Sequence, residues 1–211
     1  MSSTNRSKAR DTHIADYYVT PQKPIKSFLE KFCEDENYIL RGALILDPCA
    51  WGNLEHINKE TGEFIKYNDM SYPEVLIDLG VDSNFLTTND LREDSLAAYH
   101  LDFTKWSESS VVGYNLIITN PPFNIAQDII VEALKCCKEW GYVIMLLRLN
   151  YFWWKVRQEF WKKHMPIRTY VHNRRMGFTQ DWRTDSVEYM HCVWKKWEYP
   201  KETKLSLIYD F

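Results

Sequence analysis

The chain has 211 residues, of which 45% are hydrophobic and 15% aromatic, and its formal net charge is −3. This length suits one well-packed domain and is short for two, and the small net charge argues against a protein coated in nucleic acid. No apolar segment is long enough to span a bilayer or resembles a signal peptide, so we expect a cytoplasmic protein with no membrane partner. The cysteines and histidines are scattered, which suggests neither a metal site nor a disulfide framework.

Hydrophobic spacing predicts alternating helices and strands after a loose, polar arm over residues 1–15. In chain order we expect a helix over 21–37, a strand over 43–46, a helix over 72–79 with Ser71 as its N-cap, and strands over 85–88, 97–101 and 116–119. There follow a helix over 125–140 that Gly141 ends, a strand over 142–149, a helix over 153–164, and an antiparallel pair of strands over 167–171 and 187–194. The alternation indicates a mostly parallel α/β sheet.

Polar residues follow four of the expected strands. They are Asp47, the pair Asn89 and Asp90, Asp102, and Asn120. Parallel strands present their carboxyl ends at one edge of a sheet, and ligands of open α/β sheets bind at that edge. We therefore expect these side chains to lie close together around a ligand.

The run TNPPFN, residues 119–124, follows the strand over 116–119 directly. Two consecutive prolines fix φ and donate no N–H, so they form a rigid, extended corner. A rigid corner at the carboxyl end of a strand is suited to presenting its neighbours, here Asn120 and Phe123, to a ligand.

Four blocks of sequence carry a resemblance to a known family. They are DPCAWGN at 47–53, MSYPEVL at 70–76, TNDLRED at 88–94 and TNPPFNIAQDII at 119–130. In this order they resemble the Rossmann-like methyltransferases that use S-adenosylmethionine, and most of all the small DNA adenine methyltransferases of bacteriophages. The resemblance implies one domain over 16–211, with a mostly parallel seven-stranded sheet, one antiparallel strand, helices on both faces, and a loop or hairpin inserted at about 54–70.

The resemblance implies a catalytic role for the run NPPF. In the family, the asparagine side-chain oxygen and the carbonyl of the first proline hold the amino hydrogens of adenine, and Asn120 and Pro121 match these two residues. Pro122 completes the corner, and Phe123 would stack on a flipped-out base. The reaction is a direct transfer that converts S-adenosylmethionine to S-adenosylhomocysteine and requires no metal.

The same resemblance assigns a set of residues to the cofactor. They are Tyr18, Thr20, Pro21, Asp47, Pro48, Gly52, Asp90, Asp102 and Phe103. Asp47 would contact the amino acid end of the cofactor, Asp90 its ribose, and Asp102 its adenine amino group. The family carries one more glycine where Trp51 stands. Trp51 would either roof the cofactor or fill its site in an inactive protein.

A basic segment at 155–175 carries seven basic residues against the single acid Glu159 and is interleaved with aromatic residues. Such a surface suits phosphates and bases. The residues predicted to bind nucleic acid are Lys155, Arg157, Lys162, Lys163, Arg174 and Arg175. DNA is the expected partner. Structured RNA, a protein-glutamine substrate and a catalytically inactive nucleic-acid-binding protein are the alternatives, since NPPF also occurs in RNA and protein-glutamine methyltransferases.

Overall fold

The computed structural model describes residues 20–57, 62, 64–65, 67–109, 113–153, 155–178 and 187–209. The arm predicted over residues 1–15 and the predicted cofactor contact Tyr18 lie outside these residues.

The strands of the described chain form one large sheet and one small one. They are β1 (Ile45–Asp47), β2 (His56–Ile57), β3 (Phe64–Ile65), β4 (Leu86–Thr88), β5 (Tyr114–Thr119), β6 (Cys137–Arg148), β7 (Arg168–His172), β8 (Tyr189–Lys195) and β9 (Lys204–Ile208). The large sheet has seven strands in the order β4-β1-β5-β6-β8-β7-β9. Strand β8 runs antiparallel to both of its neighbours, and the other adjacent pairs are parallel. The predicted fold class is thereby confirmed.

Helices cover both faces of the large sheet. They are α1 (Gln22–Glu36), α2 (Ser71–Asp78), α3 (Trp106–Ser109), α4 (Ala126–Cys136) and α5 (Gln158–Lys163). On one face, Phe28 of α1 and Leu76 of α2 pack with Ile45 of β1. On the other, Ile130 of α4 packs with Ile117 of β5. The strands in between are buried on both faces, as the near-continuous apolar run of β6 anticipates.

The small sheet is the antiparallel pair of β2 and β3. It lies within residues 54–70, where the resemblance implies an inserted hairpin. A further bridge between Asn53 and Asn68 closes the base of this insertion, with the Asn53 and Asn68 backbones exchanging hydrogen bonds of 2.9 and 3.1 Å.

The predicted strand over 97–101 is wrong as drawn, because only Tyr99 pairs, in a single parallel bridge with Asn89. Tyr99 and Leu101 are exposed, so this edge segment lacks the apolar cover that would extend the pairing. The seventh strand is instead β9, at the opposite edge beside β7. Strand β9 escapes sequence reading because only Ile208 of its five residues is buried.

The predicted helix over 125–140 is also wrong in its last turn. Helix α4 ends at Cys136, and β6 begins at Cys137, which pairs with Tyr114 before the register shifts. The Lys196 ammonium donates to the Cys137 carbonyl at 2.5 Å, a contact between distant segments that helix propensity cannot anticipate. Gly141 therefore lies within a strand, where a Cβ atom would stand 2.9 Å from the Asn115 carbonyl oxygen.

Two further details differ from expectation. Ser71 is the first residue of α2 and not its cap, since Met70 occupies the N-cap position and no side chain caps the helix. The segment predicted as one helix over 153–164 is divided: a 3-10 turn covers Lys155–Arg157, and only α5 is α-helical.

Candidate active site

The carboxyl ends of β4, β1 and β5 lie side by side at one edge of the sheet. Asp47 of β1 is in register with Thr88 of β4, and Leu46 is in register with Ile117 of β5. The residues that follow these strands, Asp90 and Asn120, therefore stand on either side of Asp47. Three of the polar strand ends meet, as the sequence predicts.

Asn120 is held in the NPPF corner by contacts from two other segments. Its side-chain Nδ2 donates to the Thr20 hydroxyl at 3.0 Å, and its backbone carbonyl accepts from the Trp51 indole Nε1 at 2.7 Å. Both ends of the residue are fixed, yet its buried Oδ1 atom has no hydrogen-bond partner. Among the described residues, nothing donates to the Pro121 carbonyl either. The corner thus presents two acceptors to which no described residue donates.

Asp47 is fully buried and only half satisfied. Its Oδ1 accepts from the Cys49 backbone N–H at 3.2 Å, whereas its Oδ2 has no partner. The Thr119 hydroxyl stands near but donates to the Cys49 carbonyl at 3.1 Å. Burial raises the pKa of the Asp47 carboxyl to about 8. A buried acceptor without a donor is costly, so Asp47 is a natural site for a cationic ligand group.

The loop after β1 turns through two residues with positive φ, Trp51 at 55° and Gly52 at 68°. At Gly52, a Cβ atom would lie 2.8 Å from the Met70 side chain and 3.1 Å from the Asn68 carbonyl oxygen. Glycine is required there for close approach as well as for conformation. The buried Trp51 side chain reaches from this loop to the NPPF corner.

Asp90 fastens this loop to the end of β4. Its Oδ2 accepts from the Trp51 backbone N–H at 3.0 Å, and its Oδ1 accepts from the backbone N–H and Nε of Arg92 at 2.9 and 3.3 Å. Arg92 in turn donates to the Gly52 carbonyl at 2.8 Å. Asp90 therefore has a structural role beside the predicted ribose contact. Sequence alone does not indicate this role of Arg92.

Asp102 and Phe103, the predicted contacts for the cofactor's adenine, directly follow a residue whose backbone N–H and carbonyl both bond the Asn89 side chain at 3.0 Å. Asp102 is exposed and caps a 3-10 turn, where its Oδ1 accepts from the Thr104 hydroxyl at 2.7 Å and from the Thr104 N–H at 3.0 Å. The hydroxyl bond lowers the pKa of the Asp102 carboxyl. Phe103 is buried, 5.8 Å from the Trp106 ring centroid. Little of the Phe103 ring is left to stack on a ligand.

The remaining predicted cofactor residues surround Asp47 and Asn120. Thr20 is buried against Asn120, Pro21 is half-buried beside it in the chain, and Pro48 is buried directly after Asp47. The Pro48 carbonyl accepts from the Asn89 side chain at 3.0 Å.

Phe123 lies in an aromatic cluster beyond the corner. Its ring centroid is 6.1 Å from that of Tyr189, which in turn is 4.7 Å from that of Phe178. The Arg148 guanidinium stands 4.6 Å over the Phe123 ring, and the buried Arg148 Nε has no hydrogen-bond partner. The fold thus brings an uncommitted donor to the predicted stacking residue.

The predicted nucleic-acid contacts fall into two groups. Lys155, Lys163 and Arg174 are exposed and make no ion pair with another described residue. By contrast, Lys162 pairs with Glu159 at 2.7 Å, and Arg175 pairs with Glu188 at 3.1 Å.

Two other arginines of the basic segment are committed within the domain. Arg157 stacks 3.6 Å over the Tyr151 ring. Arg168 lies on the other face of the sheet, paired with Asp35 at 2.8 Å and Glu36 at 3.1 Å. The basic excess of the sequence is thus larger than the excess on any one surface.

Sequence alone also does not indicate a buried chain of hydrogen bonds that joins α2, β8 and β7. The Tyr72 hydroxyl bonds His191 Nε2 at 2.9 Å, and His191 Nδ1 bonds His172 Nε2 at 2.8 Å. Burial holds the pKa of His191 well below its usual range, so the ring is neutral. Phe28 stacks on His191 at 3.9 Å, which marks the cluster as part of the core.

Within the described ranges, no three metal-ligating side chains come together. No helix there is long and apolar enough to cross a membrane.

No model of a known protein family matches the chain, and neither does any curated protein. Solved structures do match. One is a protein of Listeria monocytogenes assigned to the class I S-adenosylmethionine-dependent methyltransferases, at 13% identity and a TM-score of 0.57 over 95% of this chain and 69% of that one. The fold is that of the class I S-adenosylmethionine-dependent methyltransferases.

Two restriction-system proteins share the fold. The type IIG restriction endonuclease BpuSI matches at 11% identity and a TM-score of 0.57, over 89% of this chain and 27% of that one. The M protein of the type I restriction enzyme EcoKI matches at 9% identity and a TM-score of 0.51, over 92% of this chain and 49% of that one. The chain thus spans less than half the length of either protein. Identities this low establish the fold alone.

Proposed function

We propose that this protein transfers a methyl group from S-adenosylmethionine to the exocyclic amino group of adenine in DNA. The observation that carries the proposal is the pair of acceptors without donors at the NPPF corner, Asn120 Oδ1 and the Pro121 carbonyl. An adenine amino group offers two hydrogens, and two rigidly held acceptors match that number.

These acceptors would activate the amino nitrogen. Its lone pair is delocalised into the ring, which makes it a poor nucleophile. Asn120 and Pro121, by accepting its two hydrogens, would draw the nitrogen toward tetrahedral geometry and orient its lone pair in line with the methyl group. The contacts from Thr20 and Trp51 keep Asn120 from reorganising during the reaction.

The residues present fit the cofactor. S-adenosylmethionine supplies an electrophilic methyl group on a sulfonium. Asp47 Oδ2, buried and without a donor, suits the cofactor's ammonium group, and pairing with that cation would ionise a carboxyl that is otherwise protonated at neutral pH. Gly52, whose lack of a side chain makes room for Met70 and Asn68, shapes the loop that would hold the cofactor. Asp90 retains acceptor capacity for a ribose hydroxyl, since a carboxylate accommodates about four hydrogen bonds.

Phe123 and Arg148 support a flipped-out base as the substrate. A base cannot reach this edge from within a duplex, and the Phe123 side chain that would stack on it is only half-buried. The uncommitted Arg148 Nε suits a phosphate or base acceptor beside it. The fold shared with two restriction-system proteins and the exposed Lys155, Lys163 and Arg174 favour DNA over a protein substrate.

A second candidate function, a catalytically inactive nucleic-acid-binding protein, is favoured by one contact. Trp51 stands where the family has glycine, and its buried indole is bonded to the Asn120 carbonyl. A side chain in this position would either roof the cofactor or occupy part of its site. Titration calorimetry with S-adenosylmethionine distinguishes the two: the methyltransferase binds it, and the inactive protein does not.

The first prediction concerns Asn120. We expect Asn120→Ala to lower methyl transfer by at least about 100-fold, the scale for removing one preorganised hydrogen bond at a reacting centre, while S-adenosylmethionine still binds. The measurement is transfer of labelled methyl to DNA, with calorimetry for the cofactor. Asn124→Ala, at an exposed residue of the same loop, is the matched control and should keep wild-type turnover. Near-normal turnover of Asn120→Ala would refute the catalytic assignment.

A further inference from the structure

Two neighbouring open cavities lie next to the end of β6. Leu149 follows Arg148, the residue stacked on Phe123, and lines a cavity of about 490 Å³ together with Asn150 and Glu188. Phe152 and Trp153 line this cavity and also a second cavity of about 580 Å³. The two cavities are therefore neighbours, and we call them together the Trp153 groove.

The second cavity combines aromatic surface with positive charge. Its lining includes Phe152, Trp153, Lys155, Trp161, Lys162 and Lys201. None of its lining residues is acidic. Lys155 and Lys201 make no ion pair with another described residue, and the exposed pair between Lys162 and Glu159 is of a kind that contributes little.

Two tryptophans of the groove have unusual surroundings, one in its exposure and the other in its hydrogen bonding. Trp153 is 87% exposed, far more than its size would favour unless a partner covers it. Trp161 is buried, and its indole Nε1 has no hydrogen-bond partner. A ligand with a flat apolar face and hydrogen-bond acceptors would satisfy both residues.

We infer that the Trp153 groove binds an unpaired nucleotide of the DNA strand that carries the target adenine. Its base stacks on Trp153, and its phosphates face Lys155, Lys162 and Lys201. Stacking on an exposed aromatic side chain requires a base that is not paired, and cationic side chains beside it track the backbone. The inference rests on the proposed function for its substrate. It adds that the strand is single or opened next to the target.

Lys201 is a residue of the groove that the basic segment of the sequence does not include. It lies outside the basic segment at 155–175, and only the fold brings it to Lys155 and Lys162. Leu149 lines the groove and directly follows Arg148, which stands over Phe123, so the groove lies near the proposed position of the target base. At the catalytic end, Glu188 is neutralised by Arg175, so the path carries no unpaired acid among its lining residues.

The test uses the whole protein and a fluorescein-labelled single strand of twelve deoxythymidines, which has no adenine and so reports the groove and not the reaction. We expect Trp153→Ala to weaken binding about tenfold or more in fluorescence anisotropy, the scale for one lost stacking contact. Trp140→Ala is the matched control, because Trp140 is 61% exposed near the start of β6, at the other end of this strand from the groove. Lys201→Ala should reduce the slope of log affinity against log salt by about 0.7, and Lys138→Ala, also exposed near the start of β6, should not.

Three results would overturn the inference: no binding of the single strand by the wild type, equal effects of Trp153→Ala and Trp140→Ala, or an equal loss for single-stranded and duplex DNA. Methyl transfer to DNA is measured on the same proteins. If the wild type transfers methyl groups but Trp153→Ala binds the single strand as tightly as the wild type, the groove inference is refuted and the proposed function stands. If Trp153→Ala weakens single-strand binding but the wild type transfers no methyl group, the proposed function is refuted and binding in the groove stands.

Discussion

Replacing the Asp47 carboxyl should make the protein more stable at alkaline pH. Burial raises the pKa of this group to about 8 in the folded chain, whereas in an unfolded chain an aspartate titrates near 4. Between these values the folded state keeps a proton that the unfolded state has lost. The free energy of unfolding of the wild type therefore falls as pH rises from about 4 to about 8. Because one unit of pKa difference corresponds to about 1.4 kcal/mol, this group lowers it by up to roughly 5 kcal/mol.

Asp47→Asn removes the titration and nearly keeps the shape. Without cofactor, we expect the variant and the wild type to differ little in free energy of unfolding at pH 5, and the variant to be the more stable by several kcal/mol at pH 8. Urea unfolding at both values measures the gap. Asp102→Asn is the control: the pKa of that exposed carboxyl is lowered, so its removal cannot produce a gain that grows with pH. A gap between Asp47→Asn and wild type that stays constant from pH 5 to pH 8 would refute the argument.

Two further predictions separate the residues of the cofactor and nucleic-acid groups. Asp90→Ala should weaken S-adenosylmethionine binding by about 1–3 kcal/mol and also destabilise the fold, since it releases the Trp51 and Arg92 contacts. Asp102→Ala should weaken the same binding with the fold intact. Calorimetry measures the binding and thermal unfolding the stability, and unchanged affinity in both variants would show that the cofactor is misplaced. Arg174→Gln should reduce the slope of log DNA affinity against log salt by about 0.9, and Arg175→Gln should reduce it by less because Arg175 is paired with Glu188. Identical slopes for the wild type and both variants would show that these residues do not contact DNA.

The sheet and its polar edge could be predicted because the information is local. A short apolar strand followed by a polar residue recurs at Asp47, Asp90 and Asn120, and two prolines fix the corner whatever surrounds them. The parallel arrangement then follows from the alternation with helices, which brings the strand ends together.

Contacts between distant segments could not be read in the same way. The end of α4 is set by Tyr114 and Lys196, both remote in sequence from Cys137. Strand β9 has one buried residue in five and thus no periodic signal.

Charge was the least reliable sequence signal. Arg168 belongs to the basic segment in sequence but pairs with Asp35 on the other face of the sheet, whereas Lys201 belongs to the same surface as Lys155 without being near it in the chain. A run of basic residues predicts a basic surface only when their side chains lie on the same face of the protein. The 3-10 turns and the short helix within residues 149–163 determine on which face each side chain lies.

The central claim is the transfer of a methyl group to adenine in DNA. The most direct measurement incubates the protein with S-adenosylmethionine carrying a deuterated methyl group and with either DNA or structured RNA, followed by digestion to nucleosides and mass spectrometry. We expect deuterated methyladenine, modified on its amino group, from DNA with the wild type, and its loss with Asn120→Ala. Labelled adenine from RNA alone would contradict the choice of DNA, and no labelled nucleoside from either polymer would contradict the claim of an adenine methyltransferase.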